Sequence, residues 1–236
     1  MGRAFEKRKH KMYARYDKMA KAFTKIGREI AIAVRSGGPE VDYNPRLRTA
    51  VQNAKGLNMP KERIDNAIKK ASSKEENNFE ETIYEGYGPH AVAIVIETAT
   101  DNTTRTVANI RMYFSRGNGA LGKTGSLDFM FQRKGVFRLA KDQPLSTDEL
   151  ELELIDFGLE NLEVDEDEIL IYTAYEDFGK MAKALEDKHI AVTKAALERI
   201  PSTFVELEEA QQDEVLQLID KFEEDDDVQA VYHNLR

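Results

Sequence analysis

The sequence predicts an α+β protein of several domains: a basic three-helix domain at the N-terminus, followed by two α+β units. Three observations predict it. Apolar residues recur at helical spacing as far as residue 71, and beyond residue 90 strand-like runs alternate with helical ones. Charge is segregated in the same places. Residues 1–74 carry 19 Lys/Arg against 7 Asp/Glu, a net of +12, in a chain whose total is −9. Residues 75–141 balance 8 basic against 8 acidic, and residues 142–236 hold 7 against 28. Such separation suggests a polyanion-binding surface kept apart from segments that would repel the same polyanion. The plain alternative is a solvated bundle that happens to be rich in lysine.

A chain of 236 residues with 41% hydrophobic content can bury one large core or two to three small ones. It contains no cysteine, which excludes disulfides, a thiolate nucleophile and a Cys-based zinc site. The basic start is not followed by an apolar run, and no stretch approaches a membrane span. Glu6, Asp17 and the lack of serine before Ser36 do not fit a mitochondrial presequence, so the expected location is cytoplasmic.

The first helix carries Met12, Tyr16, Met19, Phe23, Ile26, Ile30 and Ala33 on one stripe and ends at Gly37-Gly38-Pro39, a left-handed cap followed by a breaker. Projected at about 100° per residue, Lys7, Lys11, Lys18, Lys21, Lys25 and Arg28 fall on its other side. The second helix has Asn44 as N-cap and Pro45 at N1, turns Leu47, Ala50, Val51 and Ala54 inward, and stops near Gly56. The third starts at Pro60 and buries Ile64, Ala67, Ile68 and Ala71. Arg46, Arg48, Lys55, Lys61, Arg63, Lys69 and Lys70 remain outside. Residues 72–78 are polar without period and read as a linker.

These cations are the candidate nucleic-acid-binding residues: Lys7, Lys11, Lys18, Lys21, Lys25, Arg28, Arg46, Arg48, Lys55, Lys61, Lys69 and Lys70. Lysine and arginine neutralise phosphates and release counterions, which gives affinity without sequence specificity. No helix-turn-helix, zinc finger, ribonucleoprotein or KH signature indicates base reading. A membrane-surface helix is a rival, but two further apolar faces are available to cover this one.

In the rest of the chain, Glu85-Gly86-Tyr87-Gly88-Pro89 is turn-rich and Ala91–Thr98 reads as a buried strand. A helix is expected over Thr103–Arg116, capped by Asp101 or Asn102, then a strand over Ser126–Leu139. Ser146 and Glu149 form a capping box opening a helix that ends at Gly158. A strand at Glu168–Tyr175, a helix at Asp177–Lys188, a strand-like stretch Ile190–Leu207 broken by Pro201, a helix at Glu208–Phe222 and a strand at Val228–Leu235 complete the pattern. The acids of 142–168 and 223–227 read as solvated faces and a helix end.

Gly117-Asn118-Gly119-Ala120-Leu121-Gly122-Lys123-Thr124 matches the Walker A string, yet it leaves a helix and enters a strand, whereas a P-loop joins a strand to a helix. A glycine-rich turn is the better reading. His10, His90, His189 and His233 are scattered, without metal-ligand spacing, and no nucleophile, base and orienting group fall together. No catalytic residue, metal or cofactor is expected, and no enzyme.

Phe23-Thr24-Lys25-Ile26-Gly27-Arg28-Glu29-Ile30, Asn44-Pro45-Arg46-Leu47-Arg48, Asn58-Met59-Pro60-Lys61, Tyr84-Glu85-Gly86-Tyr87-Gly88-Pro89, Thr100-Asp101-Asn102-Thr103-Thr104-Arg105-Thr106-Val107 and Gly125-Ser126-Leu127 together resemble the YebC family over essentially the whole chain. Its members are known as probable transcriptional regulators, and the mitochondrial relative as a translational activator of cytochrome oxidase. The resemblance implies a three-helix domain (1–76) and two α+β domains around a cleft. One is discontinuous (79–127 plus 208–236); the other (128–207) is inserted, acidic and open to a ferredoxin-like arrangement. It also implies a role in gene expression, either DNA-binding transcriptional control or action on ribosomes where proline-rich peptides stall. Many members start with a G-H-S-K-W-like sequence; here Gly2-Arg3-Ala4-Phe5-Glu6-Lys7-Arg8-Lys9 stands instead.

The expectation is thus a non-enzymatic nucleic-acid-binding regulator whose partner is ribosomal RNA on the ribosome or duplex DNA. The acidic domains are open to a protein partner, with no membrane and no small-molecule substrate. The ribosome is favoured because acidic domains would be repelled from a long duplex, whereas a ribosome offers RNA beside basic proteins. A DNA-binding transcriptional regulator and a protein-interaction scaffold are the alternatives.

Overall fold

In the computed structural model, residues 3–73, 78–141, 143, 146–165 and 167–236 are described, with side chains in the first helix from Lys18 onward. The chain forms two compact units, 1–76 and 77–236. In the first, α1 (Arg3–Gly37), α2 (Pro45–Gly56) and α3 (Lys61–Ala71) pack on one another. Ile26, Ile30, Ala33, Val34, Leu47, Ala50, Val51, Ala54, Ile64 and Ala71 are buried, whereas Ala67 and Ile68 are only half-buried. The apolar stripe of α1 is covered from Ile26 on. Phe23 is half-buried beneath the Arg63 guanidinium, 5.6 Å from its ring centre, and Met19 is exposed, because α2 and α3 are far shorter than α1. The Met12 and Tyr16 side chains and linker residues 74–77 lie outside the described residues.

Asn44 joins α1 to α2. Its side-chain oxygen accepts from the Leu47 N–H at 3.0 Å, and its Nδ2 donates to the Ala33 and Gly38 carbonyls at 2.7 and 2.8 Å. One buried amide therefore satisfies an N-cap donor and the end of the preceding helix together. Gly38 has φ +87°, the left-handed stop expected there.

The second unit runs β1 (Glu80–Tyr87), β2 (Ala93–Thr100), α4 (Thr103–Arg116), β3 (Ala120–Leu121), β4 (Phe131–Ala140), α5 (Thr147–Leu154), β5 (Leu159–Val164), β6 (Glu168–Ala174), α6 (Phe178–Asp187), β7 (Val192–Pro201), α7 (Glu209–Glu223) and β8 (Val228–His233). The strands make two four-stranded antiparallel sheets, ordered β3-β1-β2-β8 and β5-β6-β4-β7. The second has the β-α-β-β-α-β order of a ferredoxin-like unit. The protein is therefore α+β, as the sequence predicts.

The first sheet packs Ile94 and Ile96 against Ile110 and Phe114 of α4 and Val215, Leu218 and Phe222 of α7; the Phe114 and Phe222 rings lie 4.8 Å apart. The second sheet buries Phe137, Leu139, Ile169 and Ile171 under Leu150 and Leu154 of α5 and Met181 and Leu185 of α6. A small cluster of Ala93, Val95, Leu127 and Phe131, flanked by Ile83, Met130 and Tyr232, lies where the two sheets meet.

Three strand expectations need correction. The turn-rich segment from Glu85 is a strand as far as Tyr87, because β1 pairs with β2 over its whole length; the turn comes later, with His90 and Ala91 at φ +58° and +59°. The strand expected from Ser126 begins at Phe131, since residues 126–127 wrap round a buried carboxylate instead. β5 belongs to the stretch expected to be a solvated acidic face, but its backbone pairs with β6 at the sheet edge.

Candidate nucleic-acid interface

In the first unit Lys18, Arg46, Lys55, Lys61, Lys69 and Lys70 are exposed, and Lys21, Lys25, Arg28 and Arg48 are half-buried. Lys7 and Lys11 lie outside the described side chains. Arg48 donates from Nη2 to the Asp42 carbonyl at 2.6 Å. Lys55, Lys69 and Lys70 sit in the last turns of α2 and α3, where a cation also offsets the helix dipole.

The Gly-rich loop follows α4, forms β3 and then curls through residues 122–127. It holds an anion, but an internal one. The Glu85 carboxylate, 2% exposed, accepts from the Gly125 N–H at 2.9 Å, the Leu127 N–H at 2.7 Å and the Ser126 hydroxyl at 3.4 Å. Gly125 takes φ +84° to aim these donors, and the Gly122 N–H bonds the Glu85 carbonyl at 2.7 Å. A cradle of backbone donors filled by the chain's own carboxylate has no room for a nucleotide phosphate. The loop is followed by a single 3-10 turn, Asp128–Met130, and then by β4 rather than by an α-helix, so the Walker resemblance has no structural counterpart.

Glu85 also lines a groove of about 480 Å³ at the meeting of the sheets, together with Ile83, Thr124, Gly125, Asp128, Phe131, Arg133 and Arg199. Arg199, 7% exposed, crosses from β7 to bond Glu97 of β2 through Nε at 2.9 Å, with Asp128 3.8 Å from its Nη1. Tyr232 crosses likewise, donating to the Leu197 carbonyl at 3.4 Å; burial, reinforced by Glu97, pushes its hydroxyl pKa up. Arg133 stacks on Tyr175, its guanidinium carbon 4.6 Å from the ring centre.

Asp227, which the sequence places among the acids of a solvated helix end, is 3% exposed. Its Oδ2 accepts from the Thr106 hydroxyl at 2.8 Å, the Thr100 hydroxyl at 3.2 Å, and Arg105 Nη2 and Nε at 2.7 and 3.3 Å. These bonds, to Asp227 first and then to Asp101, raise the Arg105 pKa further. Neighbouring Asp225 accepts from Asn109 and Tyr113, each at 3.1 Å. Only the following residue, Val228, opening a strand, hints that this acid run turns inward. Among the described residues no group of His, Asp and Glu could hold a metal, and no helix is long and apolar enough to cross a membrane.

Residues 3–74 match the model of the TACO1/YebC protein N-terminal domain, and residues 79–235 that of the TACO1/YebC second and third domain. A "Probable transcriptional regulatory protein" of Cytophaga hutchinsonii is 57% identical over 235 residues, covering 100% of this chain and 98% of its own. One of Porphyromonas gingivalis with the same name is 50% identical over 236 residues, again with 100% and 98% coverage. Among solved structures, the conserved hypothetical protein Aq1575 from Aquifex aeolicus superposes with a TM-score of 0.83 at 38% identity, covering 92% of this chain and 90% of the other. Two domain models that between them take in nearly every residue, relatives alike from end to end, and a neighbour of the same fold agree: this chain belongs to the TACO1/YebC family.

Proposed function

We propose that the chain is a non-enzymatic, cytoplasmic regulator of gene expression that acts in translation, binding ribosomal RNA through its basic helical unit and relieving stalling at proline-rich sequences. The observation that carries the binding reading is the charge segregation: +12 within residues 1–74, against 28 acids and 7 basic residues in 142–236. A duplex long enough to contact the first unit would also meet the repulsion of the acidic body, whereas a ribosome presents RNA beside basic protein. In this reading the second unit works as two domains, 79–127 with 208–236 and 128–207, and the acidic one contacts protein. The family's regulatory names support a role in gene expression.

Those same names favour a second reading, a DNA-binding transcriptional regulator. Binding to purified ribosomes and to generic duplex DNA at one physiological salt concentration separates the two, with Lys18, Lys21 and Lys25 reversed to glutamate as control. Tight ribosome binding that the reversal abolishes supports the translational reading. Tighter duplex binding with a reproducible footprint replaces it by the transcriptional one. Retention on ribosomes that survives both nuclease and the reversal points to a protein-interaction scaffold.

A further inference from the structure

Among the described residues, the exposed aromatic side chains of the second unit are Tyr87, Phe129, Tyr175 and Phe204, and each is linked, by a contact or by its place in the chain, to a groove residue or to Met130 next to the groove's Phe131. Phe129, 79% exposed, directly follows Asp128 of the groove wall. Tyr175 carries the groove's Arg133 on its ring. Tyr87 Oη lies 3.9 Å from Met130 Sδ, and Phe204 follows shortly after Ser202, whose N–H donates to the Met130 carbonyl at 2.8 Å. Aromatic rings left in water around a groove mark an interaction surface.

The charges there are unevenly matched. Glu85 is enclosed by its loop, Glu97 is bonded by Arg199, and Asp128 faces Arg199. By contrast, neither Arg133 of the groove nor the exposed Lys123, which directly precedes the groove's Thr124, has a carboxylate partner among the described residues. The groove is drawn mainly from residues 75–141, the charge-balanced stretch, with Arg199 the contribution of the acidic one. Glu85 and Glu97 are therefore engaged within the fold and Asp128 shares Arg199 with Glu97, whereas Arg133 and Lys123 meet no carboxylate among the described residues, and flat π surfaces stand beside them. Unpaired nucleotides have the complementary chemistry, with bases that stack on aromatic and guanidinium planes and phosphates that seek cations. A duplex hides its base faces, and an apolar peptide would leave the two cations unanswered.

We propose that the groove between the two sheets is a second nucleic-acid contact that takes a few unpaired nucleotides, a base on the Phe129 or Tyr175 ring and backbone phosphates on Arg133 and Lys123. For its class of ligand the inference rests on the nucleic-acid reading above, but it uses none of the same residues. Because every base has a π face, the site accepts many sequences.

The test uses the full chain and three labelled probes of equal length at fixed physiological salt: an oligouridylate, an oligothymidylate and a duplex. The variants are Phe129→Ala with Tyr175→Ala, Arg133→Gln with Lys123→Gln, and the reversal of Lys18, Lys21 and Lys25. Phe129 is so exposed that its truncation leaves the core intact. Both groove variants are expected to lower the ratio of single-strand to duplex affinity by about tenfold, with duplex affinity unchanged. The reversal lowers both affinities and leaves the ratio. A ratio unaltered in both groove variants, or an equal fall in single-strand and duplex binding, overturns the groove site and leaves the first-unit reading standing. A reversal variant that binds all probes like the parent sinks the first-unit reading and leaves the groove.

Discussion

Replacing Asp227 by alanine removes the acceptor on which the start of α4 and the approach to β8 converge. Four hydrogen bonds end on one buried oxygen, from Thr100, Thr106 and twice from Arg105. The cost of removing them is not the sum of four. Thr106 keeps the Asn102 carbonyl at 3.0 Å and Thr100 at 2.8 Å, and Arg105, its side chain 46% exposed, keeps Asp101 and regains water. What remains is a buried site stripped of its charge-assisted acceptor and a small void, worth about 3 kcal/mol after discounting the exposed guanidinium. For a unit of this size that lowers its melting midpoint by roughly 6–12 °C. The chain has no tryptophan, so tyrosine near-ultraviolet and far-ultraviolet circular dichroism are the probes. Asp227→Asn should fall between parent and alanine variant, and Asp213→Ala, on the exposed face of α7, should stay within about 0.5 kcal/mol of the parent. An Asp227→Ala midpoint indistinguishable from that of Asp213→Ala would refute the argument that Asp227 is a structural member of this acid run.

Reversing Lys18, Lys21 and Lys25 should flatten the dependence of log affinity on log salt by about 0.7–0.9 for each phosphate that is no longer neutralised, as titrations on ribosomes or duplex DNA at several salt concentrations would show. A parallel shift with the slope preserved would remove these residues from the interface. Glu85→Ala empties the loop's cradle, so added phosphate should raise the melting midpoint of the variant and leave the parent unmoved; equal responses would mean that the cradle is not filled by Glu85. Burial holds the His233 ring below its ordinary pKa, and its buried Nδ1 has no hydrogen-bond partner among the described residues. Protonation therefore favours the unfolded chain: the stabilisation is complete above the unfolded value and declines as pH falls through it toward the lowered one. The urea midpoint should drop between about pH 7.5 and about pH 5.5, and His233→Gln should blunt the drop.

Helices are legible where local chemistry suffices. α4 has the bounds expected of it because Asn102 caps it, accepting from the Arg105 N–H at 3.0 Å, and a stripe of Val107, Ile110 and Phe114 defines its inner face. The first unit's stops and caps at Gly37-Gly38 and Asn44 are local in the same sense. β1 and β5 are not legible, since Glu-Glu-Thr-Ile-Tyr-Glu-Gly-Tyr and Leu-Glu-Asn-Leu-Glu-Val become strands by pairing with neighbours rather than by their own propensity. The two buried carboxylates are hidden for a related reason. Glu85 meets Leu127 across 42 positions and Asp227 meets Arg105 across 122, and beyond the strand that opens at Val228 nothing in their own neighbourhoods marks them as inward. In the candidate interface, the basic surface can be read from composition, but the groove, assembled from both sheets, cannot.

The first sheet carries a timing consequence. Its central strand β2, almost wholly buried, has β8 as one neighbour, and the Ala93 N–H is bonded to the Asn234 side chain across 141 positions. Until residues 228–234 have been synthesised, that flank of β2 is an open edge and the sheet cannot close. The first unit has no such dependence, since it is compact within residues 1–76. At roughly 5–20 residues per second it leads the closing strand by roughly 10–30 s. For that interval the nascent chain presents a folded head of net +12 before the 28 acids of residues 142–236 have all been added. The nearest polyanion to a head in that condition is the RNA of the particle still translating it.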